Sequence, residues 1–270
     1  MRSDLHVHSH YSDGSDTVTE VLDKAKEAKI DYISFVDHDT VDTYAEAKVE
    51  GDKRGIHVIP GIEISAYDFK RQRKVHILGY NYNEKATNIK AICDDLLDRR
   101  NRKTEAQLKT IIGAGYAINW GKLNRAVNSK KTMYKQHIME ALTEAPYESA
   151  RYQSLYKLLF KGKGICAGDI EYIDVHLAVK AIKADEGIAV IAHPGQLDSY
   201  ELIPELLRYG LDGIEVYHPD HTEEDIEKSK KIAETEQLLE LGGSDYHGRF
   251  WIEQKLGIPE FNSRLQERMG

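Results

Sequence analysis

The chain has 270 residues, of which 41% are hydrophobic, enough for one large domain or for a core with a smaller insert. No apolar run approaches the roughly 20 residues of a membrane span, and the polar residues Arg2, Ser3 and Asp4 argue against a signal peptide, so we expect a cytoplasmic protein with no membrane partner. The formal net charge of −8 argues against binding long nucleic acid, and the widely separated Cys93 and Cys166 suggest buried thiols rather than a disulfide framework.

Strand and helix patterns alternate along the first eighty residues. A strand in "SDLHVH" precedes a helix in "DTVTEVLDKAKEAKI", with Asp16 or Thr17 as its N-cap. A strand "DYISFV", a helix from about Val41 to Arg54, and the strands "HVIPGIEIS" and "KVHILGYNY" follow.

The same alternation returns after Asp174. A helix to Glu186 is followed by the strand "GIAVIA", a helix through "YELIPELLRYG", the strand "DGIEVY", a helix from Glu223 to Glu236, and "LLELGGSD". This order predicts an α/β fold with a parallel sheet, either a small barrel or a doubly wound sheet. Between the two halves, the pattern of residues 100–172 is helical and predicts an inserted subdomain.

Charge divides along the same lines. From Arg99 to Lys163 there are fourteen Lys and Arg against four Glu, a local balance of +10, so the remaining chain sums to about −18. We expect the acidic frame to concentrate cations and the basic insert to attract an anionic substrate.

Candidate metal ligands gather where predicted strands end. In parallel α/β folds those ends form one rim, where loops from distant parts of the chain converge. His76 is an exception, because it lies near the start of its strand. The residues at strand ends, or in the loops just after them, are His6, His8, Asp13, His38, Glu63, His193, Asp245 and His247.

Imidazoles and carboxylates without thiolates suit zinc, manganese or iron. Eight candidate ligands are more than one four-coordinate ion can use, so two or three divalent ions are predicted. Neighbouring ions with a bridging carboxylate can hold a phosphoryl group and activate a shared water. The ligand set therefore favours phosphoester hydrolysis by a metal-bridging hydroxide.

Seven stretches occur in an order that resembles one family: "DLHVHSHYSDG", "VDHDT", "PGIEIS", "HILGY", "AHPG", "GIEVYHPDH" and "GGSDYHG". They resemble the PHP (polymerase and histidinol phosphatase) metal-dependent phosphoesterases over about residues 2–80 and 186–248. The resemblance implies a distorted (β/α)7 TIM-like barrel with up to three ions. Residues 1–99 and 173–270 would form the barrel, and residues 100–172 an inserted helical subdomain that caps the substrate.

The resemblance also implies how the ligands are shared, and it places His76. The first ion would bind His6, His8, Glu63 and Asp245. Glu63 would bridge to a second ion on His76 and His193, and a third ion would bind Asp13, His38 and His247. Asp37 and Asp39 flank His38 and are expected to orient ligand imidazoles.

The insert resembles a subgroup that acts on nucleotide 5'- or 3',5'-phosphates and very short oligoribonucleotides. That likeness rests on "RRNRK" and "KQHIMEALTE". Relatives tend to carry Arg-Pro-His in the second stretch, where this chain has Lys135 and Gln136, and many have an arginine where it has Gln196. A lysine does not reproduce the bidentate grip of arginine on phosphate, so the exact substrate stays open.

Candidate substrate contacts are Arg99, Arg102 and Lys135, the first two being one helical turn apart. His221 and His218 follow the strand "DGIEVY", and they are candidates for contact with the scissile phosphate or for protonation of the leaving group. We predict a phosphoesterase acting on a nucleoside 3',5'-bisphosphate or trimming short oligoribonucleotides from 5' to 3'. The alternatives are a histidinol-phosphate phosphatase and a non-catalytic, metal-stabilised module; no protein partner can be inferred.

Overall fold

The computed structural model describes residues 2–127, 132–252 and 254–257. The predicted segment 173–270 therefore extends, at 258–270, beyond the described residues, and part of the predicted insert, at 128–131, also lies outside them. Described strands are β1 (Ser3–Val7), β2 (Tyr32–Phe35), β3 (His57–Ile59), β4 (Gly61–Asp68), β5 (Arg73–Tyr80), β6 (Ile173–Asp174), β7 (Ile188–Ile191), β8 (Gly213–Tyr217) and β9 (Leu239–Gly242).

The strands form a nearly closed barrel of the expected distorted TIM-like type. One sheet has the order β1-β2-β3, and the other has the order β6-β4-β5-β7-β8-β9. Two isolated parallel bridges join them, Val7 to Tyr246 and His38 to Glu63. Both bridges lie at or beside candidate ligands, so the closure of the barrel itself brings the first and last ligand loops together.

The expectation of an all-parallel sheet is wrong at one strand. β5 runs antiparallel to both β4 and β7, since it follows β4 in a hairpin. Its first half therefore lies beside the end of β7, where the amide of Ala192 donates to the carbonyl of His76 over 3.0 Å. An antiparallel strand starts at the rim where its parallel neighbours end, which explains the position of His76.

The described helices are α1 (Val18–Glu27), α2 (Thr43–Arg54), α3 (Thr87–Gly113), α4 (Trp120–Val127), α5 (Lys135–Leu142), α6 (Ala150–Phe160), α7 (Val175–Ala184), α8 (Ile203–Leu206) and α9 (Glu223–Glu236). Within the described part of the chain, none of them is both long enough and apolar enough to cross a bilayer.

Local sequence accounts for several helix starts, at which a side chain of the N-cap residue accepts a backbone amide. Thr17, rather than Asp16, caps α1 in a capping box, in which its hydroxyl accepts from the amide of Glu20 and the Glu20 carboxylate accepts from Thr17. The helix expected through "YELIPELLRYG" is instead the short α8 between two 3₁₀ turns, Tyr200–Leu202 and Leu207–Tyr209.

The hydrophobic core has a separate part between residues 108 and 166. Buried side chains there, including Ile111, Ile138 and Phe160, pack on one another. α3 joins this cluster to the barrel, because Ile89 and Cys93 near its start belong to the barrel core. The helix runs without interruption across residue 99, so the chain has no break at that position. Cys93 and Cys166 are both buried free thiols.

Candidate metal centre

Glu63 is the centre of the histidine cluster. Its carboxylate is 1% exposed and faces imidazoles from β1, β5 and the loops after β1, β2 and β7. The distances from its oxygens are 3.4 Å to His6 Nε2, 3.2 Å to His8 Nε2, 3.3 Å to His38 Nδ1, 2.7 Å to His76 Nδ1 and 3.0 Å to His193 Nε2.

Two further carboxylates complete the cluster. Asp245 Oδ1 lies 3.2 Å from Nε2 of both His6 and His8. Asp13 Oδ1 lies 3.3 Å from His247 Nε2. All nine sequence-predicted ligands therefore lie in one cluster, although their positions in the chain run from 6 to 247.

Within the cluster, the pKa values of the carboxylates are lowered and that of His6 is raised. Burial raises the pKa of Glu63, but the surrounding imidazoles outweigh it and hold that pKa well below its ordinary value. The same balance keeps the pKa of Asp245 and of Asp13 low. Conversely, burial opposes the charged form of His6, yet Glu215, Asp245 and Glu63 raise its pKa. A bound divalent cation would displace such protons, since ligand imidazoles must be neutral.

Unsatisfied ring nitrogens point to the same conclusion. The buried atoms His8 Nε2 and His38 Nδ1 lie 3.2 and 3.3 Å from a Glu63 oxygen but form no hydrogen bond with it, and the buried His193 Nδ1 has no hydrogen-bond partner either. A buried polar atom without a partner costs free energy unless something binds it. Sets of three or four ligand atoms, all within 4.8 Å of one another, could hold a metal ion, and one of these sets joins His8, Asp13, His38 and His247. The residues present therefore fit a group of divalent ions.

Sequence reasoning missed Glu215, which lies inside β8. Its Oε1 is 2.9 Å from His6 Nδ1, and its Oε2 accepts from the amide of His193 over 2.8 Å. The side chain is 1% exposed. A carboxylate in the apolar strand "GIEVY" was the available signal, because a buried charge is rare without a partner.

Asp37 and Asp39 are expected from the sequence to orient ligand imidazoles, but their hydrogen bonds in the described part of the chain go to other groups. Asp37 accepts from Ser9, Ser12 and Thr43, and so ties the first ligand loop to the start of α2.

Asp39 instead pairs with a residue of α3. Its Oδ2 accepts from Arg100 over 2.6 Å, and its Oδ1 accepts from the amide of Ser65. The Arg100 guanidinium also lies 4.8 Å from the ring centre of Tyr134, whose hydroxyl donates to the carbonyl of His38 over 3.0 Å. Residues outside the barrel thus hold the loop that carries His38.

His221 and His218, the two histidines after β8, differ in what their ring nitrogens contact. His221 Nδ1 bonds the carbonyl of Val216 at 2.9 Å, and its Nε2 accepts from the amide of Gly195 at 3.1 Å, so backbone engages both ring nitrogens. His218 Nε2 faces Asp245 Oδ2 at 3.3 Å.

Arg99 and Arg102, the predicted substrate contacts on α3, do not bond the residues of the histidine cluster in the described structure. Arg99 bonds Asp95 and the carbonyl of Glu171, and Arg102 is exposed. The phase of the helix brings Arg100, between them, to the ligand loops. Lys135 starts α5 and lies 3.4 Å from Asp169.

Both departures from the Arg-containing patterns have partners. Gln136 Nε2 donates to Asp13 Oδ2 over 3.0 Å, so α5 reaches a candidate ligand directly. Gln196 Nε2 donates to Asp220 over 2.5 Å.

Comparison with known proteins agrees with this geometry. Residues 4–193 match the family model described as the PHP domain. A phosphoribosyl 1,2-cyclic phosphate 1,2-diphosphodiesterase of Eggerthella lenta is 46% identical over 93% of this chain and 95% of its own length. A 3',5'-nucleoside bisphosphate phosphatase of Chromobacterium violaceum is 30% identical over 90% and 86%. A crystal structure from Bifidobacterium adolescentis, described as a metal-dependent phosphoesterase, superposes with a TM-score of 0.85, 25% identity and coverage of 99% and 94%.

Proposed function

Since the chain belongs to the PHP domain family and is a phosphoesterase, we propose that it hydrolyses a small phosphorylated ribose compound. The enzyme would use two to three divalent ions bound by the histidine cluster. The observation that carries the proposal is the convergence of eight imidazoles and carboxylates around Glu63, with buried ring nitrogens that form no hydrogen bond. Manganese, zinc and iron suit these ligands.

The proposed division of labour among the side chains follows the distances. Glu63 bridges neighbouring sites, because its two oxygens face different histidines. Asp245 serves the His6 and His8 side of the cluster, and Asp13 serves the His247 side. Ions bound there would activate water and neutralise charge on the phosphoryl oxygens.

His218 and His221 take different roles in this proposal. Since both nitrogens of His221 bond backbone, we assign it to holding the loop at Gly195 against the end of β8. His218 stays the candidate for contact with the reacting phosphate or for proton transfer to the leaving oxygen, because its Nε2 points into the cluster.

Two substrate classes are supported by different relatives. The 46% identical relative favours a cyclic phosphodiester on phosphorylated ribose. The nucleoside 3',5'-bisphosphate is the second candidate, and the 30% identical relative supports it. The residues Lys135, Gln136 and Gln196 count against the second class, since this chain lacks the arginines that relatives acting on nucleotides tend to carry.

The test is product formation by purified protein supplied with Mn²⁺, followed as phosphate for a monoester, as the ring-opened phosphomonoester and phosphate for a cyclic phosphate, and as mononucleotides for an oligoribonucleotide. The substrates are a ribose 1,2-cyclic phosphate 5-phosphate, a nucleoside 3',5'-bisphosphate, a short oligoribonucleotide and L-histidinol phosphate. His8→Ala and Asp245→Asn should abolish turnover, whereas His57→Ala, an exposed histidine outside the cluster, should not change it. Full activity of the His8 and Asp245 variants would exclude this site.

A further inference from the structure

The β4–β5 hairpin extends the wall of the metal centre outward. Across the hairpin, Ser65 pairs with His76 and Tyr67 pairs with Lys74. Residues two apart on a strand share a face, so Lys74 stands beside His76 on its outer side, about 7 Å along the strand. Lys74 is therefore the next residue of this face beyond a candidate ligand.

Lys74 and Lys135 both form ion pairs with the carboxylate of Asp169. Lys74 Nζ lies 2.7 Å from Asp169 Oδ2, and Lys135 Nζ lies 3.4 Å from Asp169 Oδ1. Two ammonium groups on one carboxylate leave a net positive charge in a half-buried place, since the two side chains are 38% and 25% exposed. Burial, together with the charges of Lys74 and Lys161, lowers the pKa of Lys135 even though Asp169 opposes this. An anion would relieve that repulsion.

The lysine pair lies between the β4–β5 hairpin and the start of α5, since Lys74 belongs to β5 and Lys135 to α5. Lys74 lies over the ring of Tyr172, whose plane stacks at 4° on that of Tyr67. Lys135 directly follows Tyr134, whose hydroxyl bonds the carbonyl of His38. Lys74 thus shares a strand with His76, and Lys135 follows a residue that bonds the loop carrying His38.

We propose that Lys74 and Lys135 bind a second phosphate group of the substrate, remote from the phosphate that is hydrolysed. This rests on the proposed function and deepens it: the enzyme selects substrates in which a ribose carries phosphate at both ends. Lys135 is a candidate from the sequence, but Lys74 is assigned only by the strand pairing and by its shared partner Asp169. The substrate phosphate replaces Asp169 as the counter-ion of the pair, because it offers more acceptor oxygens and more charge.

The experiment compares matched substrates that differ only in the remote phosphate. Adenosine 3',5'-bisphosphate is paired with adenosine 3'-monophosphate, and ribose 1,2-cyclic phosphate 5-phosphate with ribose 1,2-cyclic phosphate. For each pair of substrates that the enzyme hydrolyses, Lys74→Gln should raise KM about tenfold for the substrate with two phosphate groups. For the substrate that lacks the remote phosphate, KM should rise less than twofold. Lys70→Gln is the control, since Lys70 lies at the tip of the same hairpin, 71% exposed and paired with Glu205.

The possible failures are distinguishable. Equal effects of Lys74→Gln on both members of a pair, or no effect on either, would overturn the second-phosphate site while leaving the phosphoesterase intact. If the unmodified protein turns over none of these substrates, the proposed function fails. In that case, calorimetric titration with adenosine 3',5'-bisphosphate tests the lysine pair alone, and equal affinity of the unmodified protein and Lys74→Gln would contradict it.

Discussion

Glu215 Oε1 lies 2.9 Å from Nδ1 of His6, on the far side of the imidazole from Glu63 and Asp245. This arrangement fixes the ring so that Nε2 faces the cluster. Carboxylates in such positions set the tautomer and orientation of a ligand histidine.

Glu215→Gln is expected to weaken metal binding by about 10- to 100-fold, since it keeps the shape of the side chain but removes the charge that supports His6. Titration of the metal-free protein, prepared by chelation, with Mn²⁺ and Zn²⁺ would measure the affinity for each metal. Glu227→Gln, on the exposed face of α9, serves as the control. Unchanged affinity in the Glu215 variant would assign that carboxylate to the fold alone.

Chelation is expected to lower thermal stability. Bound ions stabilise the folded state by mass action, by about 4 kcal/mol when free metal exceeds Kd about 1,000-fold. Thermal unfolding with EDTA, and again after Mn²⁺ is restored, measures the difference, and elemental analysis of the loaded protein counts the ions. Asp245→Asn should shrink the EDTA effect. An EDTA effect of the same size in both proteins would mean that the stabilising ions lie elsewhere.

Arg100 and Asp39 form a pair in which Asp39 is fully buried and Arg100 is 16% exposed. Arg100→Met is expected to cost on the order of 3 kcal/mol, because it leaves a buried carboxylate without its partner. Urea unfolding measures the loss. Arg99→Met, one residue away and bonded at the surface, should change stability by less than about 0.5 kcal/mol.

The double variant Arg100→Met/Asp39→Asn separates the pair from its surroundings. Removing both charges should recover most of the lost stability, since no buried charge is then left alone. If the double variant is as unstable as Arg100→Met, packing of the guanidinium on Tyr134 carries the stabilisation instead.

We expect the buried His137 to make the stability of the folded chain depend on pH. Burial lowers its pKa to about 4, and its Nδ1 accepts from the amide of Tyr134 over 3.0 Å. Because the unfolded chain binds this proton near pH 6.5 and the folded chain only near pH 4, stability is intact above pH 6.5 and falls as the pH drops between these values. The loss reaches on the order of 3 kcal/mol.

The comparison protein for this prediction is His137→Gln, which keeps an acceptor but does not titrate. Urea unfolding of both proteins in EDTA at pH 7.5 and pH 4.5 should show a larger loss for the unmodified chain. Parallel losses in the two proteins would show that other groups control acid sensitivity.

Most of the candidate metal centre could be predicted from the sequence. Residues such as His6, His193 and Asp245 follow strands whose apolar patterns are local, and parallel strands end at one rim whatever their distance in the chain. Helix starts of the kind at Thr17 are equally local, because a cap and its partner lie within one turn.

The tertiary structure alone decided the rest. The reversal of β5 that brings His76 to the rim, the bond of Glu215 to His6, and the choice of Arg100 over Arg99 all depend on long-range register or on the exact phase of a 27-residue helix. Composition and spacing name the chemistry that a strand end offers. Which buried charges become partners is settled only when distant elements pack, since the cost of an unpaired charge applies to the folded interior and not to the sequence.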